Sequence, residues 1–312
     1  VAAPYNALIP DLASNKEERL NLSTMQSTFR LIFTGIAMVL PGILISKLGM
    51  VNGVLNTEVG IRKTVILITI LSVLGIYACV FFLKEKQLTQ NRPKTESLGF
   101  MKSISHLKDK EIILYFLGYF FFFCGFNILR GDLTYYLSTV MQKDIKYLTV
   151  ISVVLFGMAG LFFPITNKFG KKYSYKKILI VDMLLLIIGT FGLLFINKNN
   201  SVFAYLLFVI CGMGLSGAAF IFPQAMLSEI SAKLSETKKV SLEGFMFGIQ
   251  GMFLKLAFLV QQVVQSTLLV AGNQNVQNGV KGATELGVKV TLVVALALFG
   301  VSLFFYNLKK ED

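Results

Sequence analysis

Residues 244–265 read GFMFGIQGMFLKLAFLVQQVVQ, and the class of the molecule turns on this stretch. It lies in an apolar run of about 27 residues, enough to cross a hydrocarbon layer roughly 30 Å thick at about 1.5 Å of helix per residue. Lys255 stands near its middle, and Gln250, Gln261, Gln262 and Gln265 share the same helix. At about 100° per residue these five side chains fall within an arc of roughly 140°. An ammonium at the bilayer centre costs about 2.5–3.5 kcal/mol even on the lenient insertion scale, so such residues face a bundle interior or a wet cavity. Snorkelling, or a structural ion pair, is the competing account of Lys255, but a central position leaves snorkelling little reach. The pattern predicts a polar solute or ion pathway beside this helix.

The rest of the composition fits that setting. Of 312 residues, 54% are hydrophobic, 28 are Phe and only 15% are charged, the profile of a polytopic membrane protein. The net charge of +13 does not point to nucleic acid. Its basic residues are scattered over short segments between apolar runs, with no aromatic interleaving in a soluble module. Cys79, Cys124 and Cys211 all lie in apolar runs and read as packing residues without a disulfide. The single histidine, His106, falls in a charged segment between spans, which excludes a His-based metal site or triad within the chain. No catalytic residue, metal or organic cofactor is expected, and an enzyme acting on lipid head groups lacks the clustered His, Asp or Glu it would need.

Eight spans are expected, at 29–46, 64–83, 112–129, 148–166, 178–196, 202–222, 244–271 and 288–306. In the segments between them, 19 Lys and Arg fall on one alternating side and 9 on the other. That bias places both termini and the long connection at 84–110 in the cytoplasm, in a plasma or inner membrane. Many carriers pair two six-helix halves around a central loop. On that pattern 1–83 is the end of a first half with two spans, 84–110 the central loop, and 111–312 a complete second half. The opening VAAPYNALIPDL reads as the end of a helix passing into a loop, so four helices are expected upstream of Val1. Breakers concentrate in the sixth span, with Gly212, Gly214, Gly217 and Pro223; Pro164 and Pro41 mark the fourth and first. Ser14-Asn15-Lys16-Glu17 is a capping pattern for a short helix leading into the first span.

Several motifs together resemble one family. Pro4-Tyr5-Asn6-Ala7-Leu8-Ile9-Pro10-Asp11-Leu12, followed by Glu18-Arg19 and Leu22, is similar to the loop between the fourth and fifth helices of the glycoside–pentoside–hexuronide:cation symporters. These are the melibiose-permease-like branch of the major facilitator superfamily. Asn167-Lys168-Phe169-Gly170-Lys171-Lys172 looks like the superfamily's basic loop after the eighth helix. Tyr135-Tyr136 falls where the family has a tyrosine pair, and Leu242-Glu243-Gly244 through Gly248, Gln250 and Lys255 matches its eleventh helix. The loop after the tenth helix departs from the family, reading Ser228-Glu229-Ile230 where an aspartate-rich start is usual.

The resemblance implies an all-α membrane protein of the major facilitator fold, truncated at its N-terminus, that symports a sugar or glycoside with Na⁺ or H⁺ by alternating access. It places Lys255 near the cation site and Gln250 toward the sugar cavity, and puts the cation's carboxylate ligands in the absent N-terminal helices. A lysolipid or other amphiphile carrier of the same family is the alternative. Amides both donate and accept, which suits a polyol. Gln250, Lys255, Gln261, Asn127, Tyr135 and Tyr136 are therefore the expected solute contacts, with Lys255 also coupling the cation. Lys168, Gly170, Lys171, Lys172 and Asp182 are the expected gate, with Glu229 a possible acidic partner for its lysines. Phe120 to Phe123 are expected to face lipid. The partners are a small-molecule solute and the bilayer, with the protein a monomer.

Overall fold

Asn15 starts the first long helix, its Oδ1 accepting the Glu18 amide at 2.9 Å. Glu17 and Glu18 sit in the first turn, where the helix dipole favours carboxylates. The computed structural model describes residues 6, 9–13, 15–51, 54–82, 109–143, 147–238, 242–271 and 282–309. The expected loop at 84–108 with His106, most of the 4–12 motif, and Ser14 lie outside them. The capped helix is not a short lead-in: α1, Lys16–Leu48, continues for 33 residues through the first expected span. A two-residue pairing of β1 (Met50–Val51) with β2 (Val54–Leu55), in register Met50↔Leu55, leads to α2, Thr57–Phe82.

The remaining helices are α3 (Lys110–Tyr135), α4 (Tyr147–Lys172), α5 (Tyr175–Leu193), α6 (Ser201–Leu215), α7 (Phe222–Lys238), α8 (Glu243–Leu268) and α9 (Glu285–Leu308). Among the described residues, six helical stretches are long and apolar enough to cross a membrane. The first and fifth expected spans also lie in helices, α1 and α5; Lys176, Lys177 and Asp182 put three charges in the 19 residues of α5. Chain packing divides the molecule into a unit of 1–25 with 95–312 and a unit of 26–94. In the second unit α2 exposes Val65, Ile70, Leu74 and Tyr77, a surface for lipid rather than water.

Within the larger unit α3 is the centre, packed on α8 and α9, while α5 and α6 lie together beside α9. This corrects the expectation that its phenylalanines face lipid. Phe122 is 1% and Phe123 9% exposed, and Phe122 meets Phe299 of α9 with ring centroids 5.7 Å apart. Periodicity cannot separate a helix that is apolar all round from one at a bundle's middle. Ser302 of α9 donates to the Gly118 carbonyl of α3 at 2.7 Å, tying the pair.

Two π segments extend helices beyond their expected ends. Tyr136–Val140 prolongs α3, and Ser216–Ile221 joins α6 to α7 just before Pro223. The glycines of this joint permit close approach. A Cβ on Gly217 would strike both the Asp182 carboxyl and the Phe222 ring, and one on Gly214 would reach Leu186 N at 2.7 Å. Cys124 and Cys211 are buried and free.

Candidate functional site

At one end of the larger unit the start of α1 is held against α4, α5 and α7 by charge and hydrogen bonds. Lys171 pairs with Glu17 at 2.8 Å, and Lys16 with Glu229 at 3.4 Å; Lys233 reaches the same Glu229 oxygen at 3.8 Å. Asn167 donates to Thr24 Oγ1 at 2.7 Å and to Asn21 Oδ1 at 3.2 Å. The buried Tyr175 hydroxyl donates to the Lys16 carbonyl, and Lys16 Nζ lies 4.5 Å from the centre of that ring. Burial, and then the Glu229 carboxylate, push the Tyr175 phenol above its ordinary value, so it stays a donor well past neutral pH. Around these contacts a cavity of about 310 Å³ is lined by Lys16, Glu17, Lys171, Ser174 and Tyr175.

Magnitudes decide what this assembly can be. Glu17 is 64% and Lys171 31% exposed, so the pair contributes about 0.2–1 kcal/mol. Contacts that weak exchange readily for water; we refer to this cluster as the latch.

The expected gate residues divide between this latch and other places. Lys171 pairs in it, and Gly170 is buried where a Cβ would press on Leu20 at 2.9 Å. Lys168 is exposed, and Lys172 lies over Tyr173 at 5.4 Å. Lys176, in the same basic segment, donates to Asn307 O at 2.7 Å and so caps the end of α9. Asp182 is 6% exposed, packed on Gly217 away from the lysines, with Oδ2 unpartnered among the described residues. Glu229 takes its partner from α1 rather than from the basic loop. Lys16, Glu17, Asn21 and Thr24 were not singled out from sequence; the acidic turn Glu17-Glu18 was the available signal.

On α8 the polar arc splits by environment. Gln250, 3% exposed, donates to Tyr115 Oη at 2.7 Å and to the Pro223 carbonyl at 3.2 Å, while the Tyr115 hydroxyl donates to the same carbonyl at 2.7 Å. In this conformation its amide serves the kink between α6 and α7. Gln261, 8% exposed, donates to Gln265 Oε1 at 2.7 Å, and Gln265 donates to Asp132 Oδ1 at 2.8 Å. Lys255 and Gln262 are exposed. Lys255 has no ion pair among the described residues; its Nζ is 6.0 Å from the Phe258 ring centre. On the same side Gly244, Gly248 and Gly251 have nothing within 4 Å of where a Cβ would stand. With Lys255, Gln262 and Ser266 they form an open stripe about 60° wide along an otherwise apolar helix. Asn127 is buried on α3 with its Nδ2 unpartnered among the described residues. The tyrosine pair separates: Tyr135 is 40% exposed, whereas Tyr136 is buried and donates to Leu193 O at 2.8 Å, closing the end of α5.

Long apolar helices, a cluster of ion pairs at one end and an exposed cationic stripe along one helix are features of a multi-pass membrane protein that handles a polar solute. Residues 1–310 match the model of the MFS/sugar transport protein family, and the chain belongs to that family. A comparison with curated proteins finds no match.

Proposed function

We propose that the protein is a cation-coupled symporter that carries a sugar or glycoside with Na⁺ or H⁺ by alternating access, as a monomer in the plasma or inner membrane with both termini cytoplasmic. The observation that carries this reading is the open stripe of α8, where Lys255 stands on an apolar helix with neither a partner among the described residues nor cover. An ammonium in that position calls for water, solute or a carboxylate. The stripe therefore lines the passage, with Lys255 and Gln262 as its polar contacts. A fixed cation there competes with the coupling ion for nearby carboxylates. The latch of Lys16, Glu17, Lys171, Glu229 and Tyr175 closes the cytoplasmic side and opens as the bundle rocks.

The test is uptake by the native protein in sealed proteoliposomes, using a panel of labelled glycosides with Na⁺ and pH gradients imposed separately. The reading expects uphill accumulation driven by one gradient and abolished by the matching ionophore. Uptake that only equilibrates whichever gradient is imposed, or movement of lysophosphatidylcholine instead of any glycoside, would overturn it.

A further inference from the structure

One buried carboxyl has no part in the passage or the latch. Asp132 of α3 is 1% exposed, and while Oδ1 accepts the Gln265 amide at 2.8 Å, Oδ2 has no partner among the described residues. Thr291 of α9 lies beside the same carboxyl, but its hydroxyl donates to the Val288 carbonyl at 2.8 Å. No ion pair offsets its charge among the described residues. Arg130 on its own helix is exposed, Glu285 and Lys289 of α9 bond each other at 2.7 Å, Lys255 of α8 is exposed, and Lys168, Lys171 and Lys172 of α4 lie at the latch end. A buried carboxylate oxygen without a donor or counter-charge is costly unless something positive occupies it.

The donors around it run in one direction. Gln261 donates to Gln265 at 2.7 Å, and Gln265 donates on to Asp132, so the carboxyl is the final acceptor of a relay that begins at the buried Gln261 and passes the half-buried Gln265. Gly131 leaves room for the relay as it stands: a Cβ there would lie 2.7 Å from Gln261 Nε2 and closer still to Gln265 Nε2, so both amides would have to shift.

We propose that Asp132 binds a monovalent cation, a proton or Na⁺, and that Gln265, the half-buried amide that reaches it from α8, couples its occupancy to the solute. The inference rests on the symport reading for its purpose but not for its test. A solute hydroxyl that engages Gln265 changes the donor reaching Asp132, and a cation on Asp132 changes how Gln265 presents its amide. This is a reciprocal coupling of two sites.

The experiment uses the native protein in detergent with two probes, ²²Na⁺ binding and proton exchange into weakly buffered solution. Asp132→Asn is expected to lower affinity for the bound probe at least about tenfold, and Gln265→Leu, which keeps the carboxyl, to change half-saturation by about tenfold. Loss of ²²Na⁺ binding in Asp132→Asn identifies Na⁺; loss of proton exchange alone identifies H⁺. Wild-type titration of Asp132→Asn with both probes overturns the site. Should Asp132→Asn not yield folded protein, unchanged half-saturation in Gln265→Leu overturns it instead. Cation binding at Asp132 without sugar accumulation would sink the symport reading and leave this site standing; accumulation with an indifferent Asp132 would do the reverse.

Discussion

The two polar assemblies of the larger unit are built on opposite terms. The latch is made of ion pairs in which at least one side chain is substantially exposed, and two of them, Lys171–Glu17 and Lys16–Glu229, join segments far apart in the chain. The bracket of Tyr115, Gln250 and Pro223 is neutral, buried and saturated with short hydrogen bonds. Leaving a buried polar group unmatched costs about 1–3 kcal/mol, whereas a solvated ion pair is exchanged for water at almost no cost. On the proposed mechanism one end of the bundle cycles while its interior moves as a body. A carrier needs both properties.

Substitutions can break that contrast, starting with the interior. Gly217→Val drives methyls into Asp182 and Phe222 and is expected to cost about 3 kcal/mol, or to stop folding, read as the yield of monodisperse protein and its thermal midpoint. Lys255→Gln removes the charge without disturbing packing, since the side chain is exposed. It should cut gradient-driven accumulation at least about tenfold while sparing expression and counterflow. Normal accumulation in that variant would remove Lys255 from coupling.

Smaller effects sharpen the comparison. Tyr115→Phe keeps the ring but leaves the Gln250 amide and the Pro223 carbonyl short of a partner, for an expected loss of about 1–2 kcal/mol in denaturation. Glu17→Gln should change stability by less than about 1 kcal/mol yet favour the open state. With Ser174→Cys as a reporter in the latch cavity, Glu17→Lys alone should speed thiol labelling, and adding Lys171→Glu should slow it again to the rate with the native pair. Equal stability losses for Tyr115→Phe and Glu17→Gln would erase the distinction between the two regions.

The same contrast explains what was legible in the sequence. The arc of Gln and Lys on α8 could be read because helical spacing sets angles between residues of one helix. Which end of the arc is buried could not, because Gln250 is turned inward by Tyr115, 135 residues away. The basic segment at 167–172 was visible as a motif, although it forms the last turns of α4 and not a loop; its acidic partner Glu17 lies on α1, and no local pattern joins the two. The run Phe120 to Phe123 looked like lipid surface for a similar reason: an apolar helix is placed at the centre or the rim by its neighbours. Spans 29–46 and 178–196 were legible as helices, and the helix ends were less so. The third span was expected to end at 129, but α3 runs to Tyr135 and on into a π segment, with Asp132 buried and accepting from Gln265.

The claim beneath all of this is that the Lys255 face of α8 meets water, and from alternate sides. Lys255→Cys, in protein lacking Cys79, Cys124 and Cys211, tests it with a membrane-impermeant thiol reagent applied to either side of oriented vesicles. The account expects labelling from the outer side when the latch is intact and from the inner side when Glu17→Lys breaks it. A cysteine that reacts from neither side in either background, yet reacts with a lipid-soluble reagent, would place that face against lipid and contradict the account.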